Sequence, residues 1–138
     1  MNSLIDSDTL VANAGGDITD QGAKIEGRNY VSFTAGDDII IDTLDTHVFN
    51  GAVDLSADQI TRFAATGAVG FGTITATNVA DVINRITVTD GMTLNGAVST
   101  AGLSDLTLDT TNGDILQQSG SLATDVLTLN IGTGDGTF

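Results

Sequence analysis

The chain of 138 residues contains no cysteine, proline or tryptophan, and it has a single histidine. Without cysteine it can form neither disulfide bonds nor thiolate metal sites. Only four residues are basic against 18 acidic ones, and the formal net charge is −14. Nucleic acids and anionic membrane surfaces require basic patches, so we expect neither as a partner. Insertion into a membrane is also not expected, because no apolar run approaches the ~18 residues of a transmembrane helix.

The acidic side chains are nearly all aspartate, with Glu26 as the only glutamate. Aspartate favours turns and local backbone hydrogen bonds, whereas glutamate favours helices. The chain also has 17 glycines and 41% hydrophobic residues. Together these features predict short extended segments joined by tight turns. Such an acidic surface favours solubility.

A short apolar-Thr-apolar unit occurs three times in the second half of the chain, as Ile86–Val88, Leu106–Leu108 and Leu127–Leu129. The first residues of these units lie 20 and 21 positions apart (106 − 86 and 127 − 106). Each unit is followed by a cluster of Gly, Asp, Thr or Asn. Repetition at such a period predicts one structural unit that stacks on copies of itself.

A second set of apolar residues recurs at the same interval and predicts a second row of strands. Ile18 and Ile39 lie 21 positions apart (39 − 18). The set itself consists of Val53, Ile74, Leu94 and Ile115, at intervals of 21, 20 and 21 positions (74 − 53, 94 − 74 and 115 − 94), whereas Ile18 and Ile39 are an earlier pair at the same interval.

One segment breaks the pattern. Ser56–Gln59 has the spacing of a helix capping box, and Ile60, Phe63 and Ala64 follow at i, i+3 and i+4. A short helical insert near residues 57–65 is therefore one prediction. A further strand over the same residues is the alternative.

Two all-β architectures fit these patterns. In an antiparallel sandwich, the Asn-Gly pairs at positions 50, 95 and 112 would be hairpin turns. In a parallel β-solenoid, each strand pairs with its equivalent one turn later, which demands turns of nearly equal length. The repeat interval favours the solenoid. We expect a single segment over residues 1–138, with about six to seven rungs of roughly 20–21 residues.

The N-terminus, Met1–Asp6, has no basic start and no long apolar stretch, so no signal peptide is predicted. At the other end, the sequence stops in mid-repeat at Gly134–Phe138. We therefore expect this segment to be part of a longer repetitive chain.

Four passages resemble the repeats of filamentous-haemagglutinin-like large exoproteins and autotransporter passengers: Leu55–Phe63, Gly72–Thr75, Leu106–Asp109 and Gly113–Gln118. The resemblance implies a right-handed parallel β-helix in a bacterial protein that is secreted or displayed on the cell surface. It also implies an adhesive stalk, with host or cell-surface glycans or proteins as partners.

Aspartate clusters are the first candidates for a site. One contains Asp37, Asp38, Asp42 and Asp45, and the other contains Asp105, Asp109 and Asp114. Ca²⁺ binds such oxygen ligands, and residues 132–136 resemble a fragment of a calcium-binding repeat. The favoured interpretation is that these carboxylates cap backbone N–H groups in turns, so no metal or other cofactor is predicted. Specific calcium binding is the alternative.

Enzymatic function is the second candidate, because some β-helix proteins cleave polysaccharides with Asp, Arg or Lys in a groove. Arg62 and Arg85 are 23 positions apart (85 − 62), and no aromatic platform for sugar accompanies them. His47 has no second His or Cys for a metal site, and nothing selects an isopeptide partner for Lys24. We expect no catalytic residues.

The aromatic residues are interpreted as core or end-covering residues: Tyr30, Phe33, Phe49, Phe63, Phe71 and Phe138. The expected function is therefore a structural or adhesive segment of an extracellular or cell-surface exoprotein. The alternatives are a fibre subunit that stacks end to end with copies of itself, and a carbohydrate-active β-helix enzyme.

Overall fold

The computed structural model describes residues 4–42 and 47–132. These residues form fifteen β-strands and no helix, which confirms the all-β prediction. Nothing in this part of the chain forms a helix long and apolar enough to cross a bilayer. The strands are β1 Leu4–Ala14, β2 Ile18–Thr19, β3 Lys24–Ala35, β4 Asp38–Ile41, β5 Val48–Phe49, β6 Ala52–Ala57, β7 Gln59–Ala65, β8 Val69–Ala76, β9 Ile83–Val88, β10 Met92–Leu94, β11 Val98–Thr100, β12 Asp105–Thr110, β13 Ile115–Gln117, β14 Leu122–Ala123 and β15 Leu127–Ile131.

The strands form two sheets that wind into about six turns. Sheet A contains β1, β3, β5, β6, β8, β10, β11, β13 and β14, and sheet B contains β2, β4, β7, β9, β12 and β15. Every strand pair within the described residues is parallel. Hairpins would have produced antiparallel pairs. The fold is therefore a parallel β-solenoid, and the sandwich alternative is wrong. The right-handed sense of the coil stays a prediction.

Long strands of sheet A pair with two shorter strands on one side. The first half of β3 pairs with β5 and its second half pairs with β6. In the same way, β8 pairs with β10 and then with β11. A turn thus contains one strand of sheet B and either one long strand or two shorter strands of sheet A.

Inward side chains of the two sheets form one continuous apolar core. Along β6, Val53, Leu55 and Ala57 are buried, while Asp54 and Ser56 between them are only partly buried. This alternation follows from the two-residue period of a strand. Each fully buried Ile, Leu or Val contributes roughly 1.5–3 kcal/mol relative to an exposed position.

Four phenylalanines lie at the centre of this core. Phe49 stacks on Phe63 at 5.4 Å between ring centroids, and Phe63 meets Phe71 edge-on at 5.7 Å. Phe33 contacts both Phe49 and Phe63 at 6.3 Å. Their predicted role as core residues is confirmed, while Tyr30 lies partly exposed on the outer face of β3. Phe138 lies outside the described residues.

The helical insert predicted near residues 57–65 is wrong, because this segment is strand. The register of β4 against β7 passes over Thr61, which is left as an extra residue in a β-bulge. The bulge shifts the next inward position by one, so Ile60 and Phe63 are both buried. A bulged strand therefore reproduces the i, i+3 spacing of a helix.

The predicted equivalence of Ile86 and Leu106 is wrong by two positions. Ile86 pairs with Leu108, and Asn84 takes the place opposite Leu106. An offset of two leaves every inward side chain facing inward, so the apolar pattern alone did not distinguish the two registers. The Leu127–Leu129 unit does lie in register with the unit before it, as predicted.

Sheet A also departs from one fixed period. Ala52 pairs with Gly70, which lies 18 positions further along the sequence (70 − 52). Ile74 pairs with Val98, which lies 24 positions further along (98 − 74). The predicted equivalence of Val53 and Ile74 is wrong for this reason, since Val53 pairs with Phe71. Turn length varies around the predicted value because loops between the strands differ in length.

Candidate binding site on sheet B

The outer face of sheet B brings two arginines together. Arg62 follows the bulge in β7, and Arg85 is an outward residue of β9. The register pairs Phe63 with Ile86, so the residues just before them, Arg62 and Arg85, lie side by side on adjacent strands. Adjacent strands are about 4.8 Å apart. The two guanidinium groups therefore share one small area of the surface.

An open depression of about 420 Å³ lies at this position. Ile83 is 51% exposed and provides an apolar wall, while Thr61 is placed at the rim by the bulge. The lining residues are Ile40, Asp42, Thr61, Arg62, Ile83 and Arg85.

The two arginines differ in their partners. Arg85 Nε lies 3.8 Å from Asp109 Oδ2, too long for a hydrogen bond but close enough for an ion pair. Arg62 makes no ion pair with any carboxylate among the described residues, and its Nε is buried without a hydrogen-bond partner. Buried polar atoms nearly always have a partner, so this nitrogen marks an unsatisfied donor.

In the sequence alone, the 23 positions between Arg62 and Arg85 count against a shared groove. The structure reverses that argument, because one turn between β7 and β9 also advances the sequence by 23 positions (86 − 63). Residues one turn apart are neighbours in a solenoid. Knowledge of the local turn length would have identified the pair from sequence.

Chemically, the arrangement suits recognition of an anion. Arginine presents several donors in a planar fork that matches a carboxylate, phosphate or sulfate group. Thr61 and Asp42 add a hydroxyl and a carboxylate that can bond to hydroxyl groups of a ligand.

The aspartate clusters do not assemble as a calcium site in the described part of the chain, where no three His, Cys, Asp or Glu side chains come together. Asp38 instead accepts from Thr61 Oγ1 at 3.1 Å. Asp105 accepts from the Val126 N–H at 3.1 Å. These carboxylates link one turn to the next. Asp45 and the Thr133–Gly136 part of the repeat fragment lie outside the described residues.

His47 was expected at a loop or strand end, and it does lie just before β5, but it is fully buried. Its Nδ1 accepts from the Ile25 N–H at 3.2 Å, and its Nε2 lies 2.7 Å from Asp20 Oδ2. Because Nδ1 accepts, Nε2 carries the proton and donates to Asp20. The pattern of the sequence did not identify this pair, since Asp20 belongs to an earlier turn.

A polar network on the outer face of sheet A centres on Asp54. Its carboxylate accepts from Tyr30 Oη at 2.7 Å, from the Thr73 N–H at 2.6 Å and from Thr73 Oγ1 at 3.2 Å. Partial burial acts to raise the pKa of Asp54, but these hydrogen bonds outweigh it and hold the pKa below its usual value. The bond to Asp54 in turn raises the pKa of Tyr30.

Lys24 forms an ion pair with Glu26 on the same strand.

No family model, curated protein or solved structure that was compared matches this chain. The β-solenoid fold therefore rests on the strand pairing above. The likeness to filamentous-haemagglutinin-like exoproteins rests on the sequence passages alone.

Proposed function

We propose that this chain is a structural and adhesive segment of a bacterial surface or secreted exoprotein, where it serves as a stalk or adhesin scaffold. The observation that carries the proposal is the continuous core, which runs through about six stacked turns. Each turn lengthens such a rod by about 4.8 Å. A short repeated sequence can therefore build a long rod that holds a binding surface away from the cell.

The outer faces support the adhesive part of the proposal. Side chains in neighbouring turns bond to each other, as Asp109 does with Thr87 at 3.3 Å and with Asn130. These contacts hold rows of polar groups at the spacing of the strands. Regular polar rows suit repeated contacts with glycans or proteins of a host or cell surface, as the resemblance to filamentous-haemagglutinin-like exoproteins implies.

Location and adhesion can be tested together. Antibodies against the chain should label intact source cells, and external protease should remove the label. Beads coated with the chain should adhere to cultured host cells better than beads coated with Ile60→Asp, which buries a charge and unfolds the rod. Labelling only after lysis, or equal adhesion of both coats, would contradict the proposal.

A second candidate is a fibre subunit that stacks end to end. Strand β1 lies at one edge of sheet A and exposes Leu4, Ile5 and Val11. An exposed apolar edge strand favours pairing with another chain. Electron microscopy of the purified chain should then show ribbons that Val11→Lys abolishes. Monodisperse particles would rule out this candidate.

An enzymatic role is the third candidate, and we propose that the chain has none. Incubation with neutral and acidic polysaccharides should give no cleavage. Turnover that disappears in Arg62→Ala or Arg85→Ala would overturn the scaffold proposal and assign catalysis to the depression on sheet B.

A further inference from the structure

Basic side chains are scarce in this protein, and most of them already have acidic partners. Lys24 pairs with Glu26, and Arg28 pairs with Asp6 and Asp8. The Arg62–Arg85 depression is different, because two of the four cations lie together there and Arg62 has no acidic partner among the described residues. Two basic side chains are therefore neighbours at this point of an acidic surface, beside the carboxylates of Asp42 and Asp109.

Stacking two arginines on adjacent strands is unfavourable without a counter-charge, since like charges opposite each other destabilise a sheet. Asp109 relieves this repulsion only in part, because its carboxylate lies 3.8 Å from Arg85 Nε and bonds to Thr87 as well. Arg62 Nε remains buried and unsatisfied. A ligand with one anionic group between the two guanidinium groups would supply the missing counter-charge.

The surroundings of the depression select the class of anion. A net charge of −14 repels a long polyanion, which favours a ligand with a single compact charge. The volume of about 420 Å³ falls within the range of small-molecule sites. Ile40 and Ile83 offer apolar contact, and Thr61 and Asp42 offer partners for hydroxyl groups.

We infer that this depression binds an acidic sugar residue, with its carboxylate at Arg62 and Arg85 and its hydroxyl groups at Thr61 and Asp42. The apolar C–H surface of the sugar ring packs against Ile40 and Ile83. The inference goes beyond the scaffold role, because the geometry of the site holds whether or not the chain is a stalk.

Nuclear magnetic resonance titration of the 138-residue chain with glucuronate tests the inference. We expect saturable shifts of the Thr61 and Ile83 amides, with a dissociation constant on the order of 1 mM for a ligand of this size in an open site. Glucose, which lacks the carboxylate, should cause no saturable shift. Acetate, which lacks the ring, should bind at least about tenfold more weakly than glucuronate.

Variants separate this site from general charge effects. Arg62→Gln and Arg85→Gln should each weaken glucuronate binding about tenfold, the loss expected for one charge-assisted hydrogen bond. Arg28→Gln removes the same charge from a paired arginine elsewhere and should leave binding unchanged. Circular dichroism verifies that each variant is folded, and Arg62→Lys, which keeps the charge, should retain more affinity than Arg62→Gln.

Three outcomes would overturn the inference. The first is the absence of saturable shifts with glucuronate at tens of millimolar. The second is that glucose or acetate binds as tightly as glucuronate, which would show that the depression does not select an acidic sugar. The third is an equal loss of affinity in Arg28→Gln, which would mean that binding follows net charge alone. None of these outcomes bears on cell-surface location or bead adhesion, so the scaffold proposal is tested separately.

Discussion

His47 lies inside the core, where its ring stacks on that of Phe49 at 6.3 Å and both ring nitrogens have partners. The backbone of Ile25 and the carboxylate of Asp20 come from the preceding turns. One side chain therefore connects segments that are far apart in sequence. Its removal affects hydrogen bonding and packing at the same point.

Replacing His47 by Phe should lower the free energy of unfolding by about 2–4 kcal/mol, because the ring volume is kept while a buried N–H and a buried carboxylate each lose a bond. Urea denaturation measures the change. His47→Gln is the matched control, since its amide can still accept from Ile25 and donate to Asp20. Equal stability of the Phe variant and the parent would contradict a bonding role.

Asp54 makes stability depend on pH in a defined direction. Its pKa is lower in the folded chain, so its contribution is present above the unfolded pKa of about 4 and is lost as the pH falls through the folded value. The difference in unfolding free energy between the parent and Asp54→Asn should therefore be constant above about pH 5 and shrink below about pH 4. It should stay below about 1 kcal/mol, since the carboxylate is mostly solvated.

Denaturation of both proteins between about pH 2.5 and pH 7 tests this difference. Asp81→Asn, at an exposed carboxylate, is the control for removing one charge from an acidic surface. The same pH dependence in both variants would refute a specific role for the Tyr30 and Thr73 bonds.

At the scale of elements, the bends between strands require glycine where the backbones of two successive turns approach closely. A Cβ on Gly96 would lie 1.9 Å from the carbonyl oxygen of Gly72 in the turn before. In the following turn, a Cβ on Gly120 would meet the carbonyl oxygen of Gly96 at 2.2 Å. Backbone atoms of the preceding turn therefore leave no room for a side chain at Gly96.

Gly96→Ala should lower the free energy of unfolding by about 1–3 kcal/mol, the usual cost of overpacking. Gly15→Ala is the matched control, because a Cβ there meets nothing within 4 Å, and it should change stability by less than about 0.5 kcal/mol. Thermal denaturation of both variants provides the comparison. A tolerated Gly96→Ala would mean that the corner can move apart.

Asn84 determines how β9 joins its neighbours. It is buried and lies opposite Leu106. Its Oδ1 accepts from the Ile60 N–H at 2.8 Å, and its Nδ2 donates to Ser104 Oγ at 2.6 Å and to the Asp105 carbonyl at 3.0 Å. The side chain thus bridges three successive turns.

Asn84→Leu tests whether the hydrogen bonds of Asn84 stabilise the fold more than an apolar side chain at the same buried position would. Leucine would extend the apolar alternation of β9, yet it would leave the Ile60 N–H and the Asp105 carbonyl without these bonds. We expect a loss of about 2–4 kcal/mol in unfolding free energy, measured by urea denaturation. Asn29→Leu, at an exposed position of β3, is the control. A stabilised Asn84→Leu variant would contradict the bridging role.

At the scale of the whole molecule, a net charge of −14 on one compact rod produces self-repulsion. Burial of the apolar core therefore has to outweigh the repulsion among the acidic side chains, which favours the unfolded chain. Salt screens these charges, since the Debye length falls from about 30 Å at 0.01 M to about 8 Å at 0.15 M.

Raising NaCl over this range should raise the melting temperature by about 2–4 °C, which corresponds to roughly 1 kcal/mol for a chain of this size. Differential scanning calorimetry measures the shift. The double variant Asp81→Asn with Asp125→Asn removes two exposed charges and should show a smaller increase. An unchanged or falling melting temperature would mean that ion pairs outweigh the repulsion.

Much of the fold could be predicted from the sequence. Alternating apolar residues and a period near 21 indicate a parallel stack, and Ile18–Ile39 and Leu108–Leu129 do pair as that period requires. Phe33, Phe49 and Phe71 are buried as the interpretation of the aromatic residues as core or end-covering residues predicted. Phe63 is buried too, although its spacing had been interpreted as helical.

Register, bulges and polar partners were decided only by the tertiary structure. A shift in register by two residues keeps the same side chains buried, so the apolar pattern does not distinguish the two registers. Ile86 pairs with Leu108 because this register lets Asn84 form hydrogen bonds with the turns on either side. The bulge at Thr61 made a strand resemble a helix in the sequence. Arg62 and Arg85 are neighbours because β7 and β9 pair in the register that places Phe63 opposite Ile86. Local periodicity determines which face of a strand is buried, whereas pairing between turns is selected by contacts among residues about 20 positions apart, which no local pattern contains.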